Sequence, residues 1–572
     1  MSEPTLYEQV VSREGLAPPP SKVRASAAVV LWRRGAAGRT EVYWMRRDPA
    51  MKFMGGWYAF PGGSVSRRDV ALEQEAEPPS WLSGTPRGLD AEVATGAMPE
   101  TLTAGLEPLP PDRAPGLVTA TLRELFEETG LLPTAGGGWA SGASGAGGER
   151  LAALRRQLLA KKLDFGEILA GLGLVLDASR LLFAGRWLTP PFAPLRFDNR
   201  YFLLEHGAGA PEPVDSEEAV ATGWIHPGEA LERWERGEVM AAPPIVHLLR
   251  VLADEAAVAT ETSPDAAGAE TLRHLRHPEE ANLGPLRNVE LRPGLILFPL
   301  RTPTLPPATH TNCYLVGTGE AVLVDPGTPD PEEAERLAAA LEAAHTRLGR
   351  RVVAIWLTHH HPDHVGAVEL LRRRLGVPVA AHEATAERLA GRGITVEGRL
   401  VDGDRVELTG GDDGGGGDRP MALRVLHTPG HARGHLCFYE EGLGSLLAGD
   451  MVSAVSTIVI DPPEGDMDAY LASLERLARL APRTLFPGHG PPVTDPVGKI
   501  RELVDHRLWR EEKVLAAWRA GTREPREMLP AVYDDAPRQA WPLAERQIEA
   551  HLVRLARAGA IDDPARGRPD AP

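Results

Sequence analysis

Thr358-His359-His360-His361-Pro362-Asp363-His364 is the stretch that decides the fold of the second half of this chain. It follows an apolar run, residues 352–357, that reads as a strand. Side chains that alternate along an extended loop point to one side, so His359 and His361 can face one ion. The bend at Pro362 lets the adjacent pair Asp363 and His364 reach a second ion beside it. Three more clusters follow: His427-Thr428-Pro429-Gly430-His431, Ala448-Gly449-Asp450 and Pro487-Gly488-His489-Gly490. Each stands just past an apolar run, where a rigid strand end holds a loop in place. A lone histidine is ordinarily a solvated or core residue. Four separated clusters in this order, each beside small residues, are not explained that way.

Working outward, residues 295–298, 313–316, 321–324 and 352–357 read as strands, with a helix at 331–344 between the last two. From about residue 499 the pattern is helical, at 501–519, 526–532 and 542–558. In the first half, 27–32 and 41–45 read as strands and 119–129 and 151–161 as helices. This is α/β and α+β grammar, in layers. A Pro/Glu/Gly-rich stretch at 73–115 and a Gly/Ser/Ala tract at 135–148 read as breaks. Residues 256–281 read as a linker, and 410–418 as a glycine-laden loop between two strands.

At 572 residues the chain exceeds one hydrophobic core, and two or three domains are expected. Its 43% hydrophobic and 25% charged residues are ordinary for a globular protein. No run is apolar enough to cross a bilayer, and residues 1–15 lack the pattern of a signal peptide, so no membrane partner and a cytoplasmic location are expected. The two cysteines, Cys313 and Cys437, lie in apolar strand-like runs and read as small core residues. A net charge of −17 argues against a broad, sequence-independent grip on nucleic acid, though not against a strand held locally at a metal site.

The first half carries a second constellation, Arg123-Glu124-Leu125-Phe126-Glu127-Glu128-Thr129-Gly130. On a helix Glu124 stands one turn before Glu127 and Glu128, so three carboxylates share a face while Leu122 and Leu125 are buried. Clustered carboxylates suit Mg²⁺ or Mn²⁺, which can grip a diphosphate. Gly130 ends the helix. Upstream, Phe60-Pro61-Gly62-Gly63 allows a tight turn.

The second-half motifs resemble the metallo-β-lactamase superfamily. That resemblance implies an αβ/βα sandwich in which His359, His361 and His431 hold one metal, and Asp363, His364 and His489 a second. Asp450 bridges the two, and Asp363 counts among the catalytic residues. Two Zn²⁺ suit such a site, with manganese or iron as alternatives, and a metal pair lowers the pKa of water to about 7. Asp325, in Val324-Asp325-Pro326-Gly327, would orient the histidine loop. Within the superfamily the sequence is similar to the lactamase-beta-like endoribonucleases, through Asn312-Cys313-Tyr314-Leu315, the turn at His489, and His506-Arg507 with Arg510-Glu511. That implies cleavage of single-stranded RNA beneath a winged-helix-like cap. The same metal set is shared with thioesterases of the glyoxalase II branch.

The first-half motifs resemble the Nudix box, in the split form of the acyl-CoA diphosphatases. An insertion of roughly fifty residues, about 70–118, separates its two parts. Phe53-Met54-Gly55-Gly56-Trp57, Trp187-Leu188-Thr189-Pro190 and Arg196-Phe197-Asp198 share in the likeness. It implies a Nudix α/β/α sandwich, catalysis by Glu124, Glu127 and Glu128 through Mg²⁺ or Mn²⁺, Arg123 orienting that cluster, and a small-molecule diphosphate such as a CoA derivative as substrate. Asp69 stands where the family usually has Glu. The expected organisation is a Nudix-like domain at 20–255, a linker at 256–284, a metallo-β-lactamase-fold domain at 285–498 and a helical cap at 499–572. Three functional readings stay open: RNA cleavage, thioester hydrolysis, and a Nudix half that binds without catalysis.

Overall fold

The computed structural model describes residues 23–562 apart from 36–37, 52–53, 74–78, 90–115, 142–144, 190–194, 208, 217, 255–287, 412–419 and 456. The chain divides into two compact units, one within Ser21–Asn282 and one within Leu283–Pro572. The expected linker lies wholly outside the described residues, as does most of the glycine-laden loop at 410–418.

The first unit is a mixed sheet with helices against it. In spatial order its main strands are Ala219–Ile225, Thr40–Arg47, Val23–Arg34, Arg196–Glu205 and Leu182–Leu188. The central pair, Val23–Arg34 and Arg196–Glu205, runs parallel. The helix Leu117–Thr129 buries Leu122, Leu125 and Phe126 completely against Val29, Leu31 and Phe202. Gly130 closes it in the left-handed conformation (φ 71°), as expected.

Two expected breaks turn out to contain structure. In the tract 135–148, Trp139–Ser141 pairs with Leu131–Pro133, and the helix Gly145–Leu159 begins within the tract. The anchor is one aromatic: Arg180 stacks over Trp139 at 4.4 Å, and His206 lies 5.6 Å away. Inside the insertion, Leu82–Ser83 pairs with Leu176–Asp177, and Trp81 is buried beside Phe165. Small residues around these rings made the stretches look structureless by composition, whereas buried aromatic area supplies the stability.

The second unit holds two sheets. The first contains Val289–Arg292, Leu295–Arg301, His310–Val316, Glu320–Val324, Arg351–Trp356, Val379–Ala381 and Gly398–Arg399, with spatial order equal to chain order. It turns from antiparallel to parallel at Glu320–Val324, where the helix Pro331–Leu348 makes the crossover. The second contains Arg405–Leu408, Met421–His427, Leu436–Glu440, Ser445–Gly449 and Thr484–Pro487. The sheets meet through Trp356 against Phe438 (5.1 Å) and through the backbone bond from Leu436 N–H to Thr358 O (2.8 Å). Helices Pro331–Leu348 and Val368–Leu375 cover the first sheet, Met467–Leu480 and Pro496–Arg519 the second. This is the layered αβ/βα arrangement that the resemblance implies. Past it, Pro525–Val532 and Trp541–Arg557 pack on the end of Pro496–Arg519 around Met528, Val532 and Ile548, making the cap. Cys313 and Cys437 are fully buried free thiols, and burial raises the pKa of both.

Candidate functional site

All the loops singled out in the second half meet where strand ends of the two sheets adjoin. His359, His361, Asp363, His364, His431, Asp450 and His489 are all buried. Three groups lie with their ligand atoms within 4.8 Å: His359, His361 and His431; His359, His364 and Asp450; Asp363, His364 and His489. In the first, His359 Nε2 and His431 Nε2 each lie 3.0 Å from His361 Nδ1. Asp450 spans both sides, with Oδ2 3.7 Å from His431 Nε2 and Oδ1 3.4 Å from His489 Nε2 and 3.5 Å from His364 Nε2.

Hydrogen bonds behind the rings settle which nitrogen carries the proton. A carbonyl or carboxylate can only accept, so the ring nitrogen facing it must donate. His364 Nδ1 therefore donates to Asp325 Oδ2 (2.8 Å), His431 Nδ1 to Val459 O (2.7 Å) and His489 Nδ1 to His310 O (2.9 Å). The Thr358 hydroxyl donates to Asp325 Oδ2 (2.6 Å), which leaves its oxygen to accept from His359 Nδ1 (2.9 Å). Four Nε2 atoms then face the same small volume as the Asp450 carboxylate. His364 Nε2, His489 Nε2 and Asp450 Oδ1 have no well-formed hydrogen-bond partner there. Buried ring nitrogens converging on a carboxylate are what a pair of cations would satisfy.

The charges agree. Burial, reinforced by the neighbouring rings, depresses the pKa of His359 and His361 far below the usual imidazole value, so both are neutral. Burial also opposes protonation of His364 and His489, but Asp450 and the other carboxylates outweigh it: His364 is raised well above the usual value, His489 to about 10. Asp450 is held well below the usual carboxylate range, His489 and His364 more than offsetting its burial. The carboxylates demand positive charge at this spot.

Asp325 lies directly behind the histidine loop. Besides His364 it accepts Thr358 N–H (2.8 Å), tying the histidine loop to the preceding strand, and it holds a left-handed backbone (φ 52°) to do so. The entry strand explains the turn at His489: Asn312 Nδ2 donates to Pro487 O (2.9 Å) and Gly490 O (2.8 Å), and Tyr314 OH to Pro487 O (2.7 Å). Gly488 is required by space, because a Cβ there would lie 2.6 Å from Asp450 Oδ1 and 3.0 Å from His364 Cε1.

One residue outside the expected ligand set belongs to this frame. His435, fully buried, accepts Asp450 N–H at Nε2 (3.1 Å) and bonds the Thr428 hydroxyl at Nδ1 (2.9 Å). It ties the loop of the spanning carboxylate to the loop of His431. Its nearness to His431 in sequence was the one available signal. His360 is buried and lies 4.9 Å from His361 by ring centres, outside the three groups.

In the first unit the carboxylates share their helix face but are not drawn together as the imidazoles are. Arg123 Nη1 bonds Glu124 (2.9 Å) and Glu127 (2.8 Å). Glu128 accepts Gly62 N–H (2.6 Å), which joins the two parts of the split box. Gly63 leaves room for Glu124, whose carboxylate a Cβ would meet at 2.3 Å. Asp69, buried, accepts from Arg123 Nε (2.9 Å) and Nη2 (3.0 Å), so its place is behind the arginine. Burial, with Glu127 adding and Arg123 opposing, raises Glu124 to about 7, and burial raises Glu128 well above the usual value. A face where ionised carboxylates are this costly is one that a divalent cation would stabilise.

Comparison with known proteins fits both centres. Three family profiles match: Metallo-beta-lactamase superfamily over residues 306–489, NUDT19 Nudix domain over 22–252, and Beta-lactamase associated winged helix domain over 525–567. The lactamase-like protein vrtG of Penicillium aethiopicum is 30% identical over 275 residues, covering 46% of this chain and 80% of that protein. The chain belongs to the metallo-beta-lactamase superfamily. It is a metallo-beta-lactamase-fold hydrolase that carries a Nudix domain ahead of the fold and a winged-helix domain behind it. Beta-lactamase-like protein 2 homolog of Drosophila melanogaster is 29% identical over 270 residues, 44% of this chain and 84% of that protein. Atrochrysone carboxyl ACP thioesterase of Aspergillus chevalieri is 32% identical over 211 residues, 36% of this chain and 60% of that protein. No helix among the described residues is long and apolar enough to cross a membrane.

Proposed function

We propose that the metallo-beta-lactamase domain hydrolyses a thioester, and that the Nudix domain cleaves the diphosphate of a CoA-type molecule. The observation that carries the choice of thioester over RNA is the fate of the cap residues that resemble those of the endoribonucleases. Arg507 and Arg510 are buried. Arg507 bonds Gln547 and Ile458 O, and Arg510 bonds Asp535 and Val532 O. Glu511 bonds Arg554 and His551. These three side chains hold the cap together and onto the domain; His506, the fourth of the set, is half-buried beside Trp509 and faces Arg510 Nη2 (3.4 Å). The thioesterase among the relatives supports the same choice.

In this reading His359, His361 and His431 would hold one ion and Asp363, His364 and His489 the other, with Asp450 lying between the two groups. The nitrogen-rich donor set favours zinc. When bound, such a pair would supply water ionised near neutral pH and positive charge for the carbonyl oxygen. The chain's own contribution is orientation. Asp325, Val459 O and His310 O fix the ring tautomers, so the ligand nitrogens meet the ions without rearrangement. Water adds to the acyl carbon, the C–S bond breaks, and the thiol leaves with the proton that the water gives up. In the Nudix domain Glu124, Glu127 and Glu128 hold Mg²⁺ or Mn²⁺, and Arg123 keeps the first two apart from each other's charge.

The test offers the purified, metal-counted chain three substrates: an acyl-CoA, S-acyl-glutathione and single-stranded RNA. Thiol release from at least one thioester, abolished in Asp450→Ala, is expected. RNA cleavage with both thioesters untouched overturns the thioester reading. In parallel, CoA with Mg²⁺ should split at its diphosphate. Binding without cleavage would make the Nudix half a binding module.

A further inference from the structure

The segment between the strand ends at Asp450 and the helix Met467–Leu480 carries an alternation that crosses the boundary between the catalytic domain and the cap. Ile458 O accepts from Arg507, in the helix Pro496–Arg519. Ile460 O accepts from Gln547 Nε2 (3.0 Å), in the cap helix Trp541–Arg557. Arg507 Nη1 donates to Gln547 Oε1 (2.8 Å), so the two side chains form one unit. Arg546 continues the row on Asp461 Oδ1 (2.5 Å) and Pro462 O. The carbonyl left between the two cap-bound ones, Val459 O, accepts the Nδ1 proton of His431. Arg507 is 2% exposed and Gln547 5%, so neither bond competes with water.

We infer that the Arg507–Gln547 pair is a positioning device for His431: by holding the carbonyls of Ile458 and Ile460 it aims Val459 O at the imidazole and fixes the ring's tautomer and direction. Removing a partner that orients a ligating histidine costs about 10–100-fold in metal affinity. The cap is thus part of the frame of one ion site, the one containing His359, His361 and His431. This rests on the dinuclear reading above.

The experiment uses the full chain, stripped of metal and titrated with Co²⁺ while the visible spectrum and the bound stoichiometry are read. With excess Mg²⁺ present to occupy the Nudix carboxylates, wild type should take two Co²⁺ ions. Arg507→Met and Gln547→Leu, each shown to be folded by circular dichroism, should weaken one of the two by about tenfold or more and leave the other unchanged. Gln547→Leu is the gentler change, and keeps the test decisive if Arg507→Met fails to fold. In a His431→Ala background the same substitutions should add nothing, because the ring through which they act is gone. Folded variants that bind both ions as wild type does, or that lose the same affinity with and without His431, overturn the inference. A wild type that takes no ion overturns the dinuclear reading itself.

Discussion

In the Nudix half, the carboxylates Glu124, Glu127 and Glu128 come from one helix, and their internal counter-ion, Arg123, comes from the same helix. In the metallo-beta-lactamase half, the candidate ligands come from loops of both sheets, and bonds between residues up to 179 apart in sequence hold them in register. The first centre is oxygen-only, and its carboxylates are already partnered by an arginine and a backbone N–H. The second is nitrogen-rich, with its ring tautomers fixed by acceptors behind them. A hard cation that retains much of its water suits the first, and a fixed pair with few free coordination positions suits the second. One chain therefore holds a tunable centre and a rigid one, and loss of a ligand should be felt very differently in each.

The largest effect should come from the spanning carboxylate. Asp450→Ala removes an acceptor from both groups, so metal counting by plasma mass spectrometry should find both ions lost. Hydrolysis by that domain should fall by several orders of magnitude, each tenfold being about 1.4 kcal/mol of transition-state stabilisation. His489→Ala should keep roughly one ion and a weak residual rate, since it touches one side only. Diphosphate cleavage should be unchanged in both. Full metal content in the Asp450 variant would break the comparison at its root.

Next comes Glu128→Gln, expected to lower Mg²⁺-dependent diphosphate hydrolysis by about 10²-fold or more without loss of fold. The amide oxygen can still accept Gly62 N–H, so the link between the two parts of the box survives. Because burial makes the ionised Glu128 costly, the metal-free variant should melt no lower than wild type. A melting point well below wild type would mean that Glu128 is structural.

Third, Asn312→Ala tests the long-range strapping. It leaves Gly490 O without its donor, while Pro487 O keeps the Tyr314 hydroxyl. A loss of about 1–3 kcal/mol in chemical denaturation follows, together with weaker binding of the ion that His489 contacts. Weakened metal binding without loss of stability would show that the strap serves the site alone.

What the sequence made legible divides along the same line. The histidine clusters and the Glu face stood out because ligands of one centre recur in short motifs, and because a helix puts positions three and four apart on one face. Partners that act across the fold left no such trace. Arg507 and Gln547 lie 40 residues apart and meet only because two helices pack. Asp69 and Arg123 lie 54 apart, with the insertion between them. His435 lies off the ligand spacing, although it bonds the backbone of Asp450. The tract at 135–148 misled through composition, since Trp139 is the one large side chain in its strand.

The smallest expected effect concerns Asp69, and it asks how far the Nudix centre is tuned by charge rather than held by geometry. The carboxylate takes two bonds from Arg123, at Nε and Nη2, while Nη1 of the same guanidinium faces Glu124 and Glu127. Asp69 thus absorbs part of the positive charge that would otherwise weigh on the metal-binding pair. Asp69→Asn keeps an acceptor of similar shape but removes one negative charge, leaving Arg123 to be balanced by Glu124 and Glu127 alone. A cation arriving at those two carboxylates then meets a stronger repulsion. The half-saturating Mg²⁺ concentration should rise about fivefold, equivalent to roughly 1 kcal/mol, with the saturated rate nearly unchanged. Asp69→Glu, which restores the residue usual in the resembling family, should return Mg²⁺ dependence to that of wild type. Steady-state rates across a Mg²⁺ titration decide it. If Asp69→Asn instead lowers the saturated rate and leaves the Mg²⁺ curve where it was, Asp69 fixes geometry, and the contrast between a tuned centre and a rigid one fails on the tuned side.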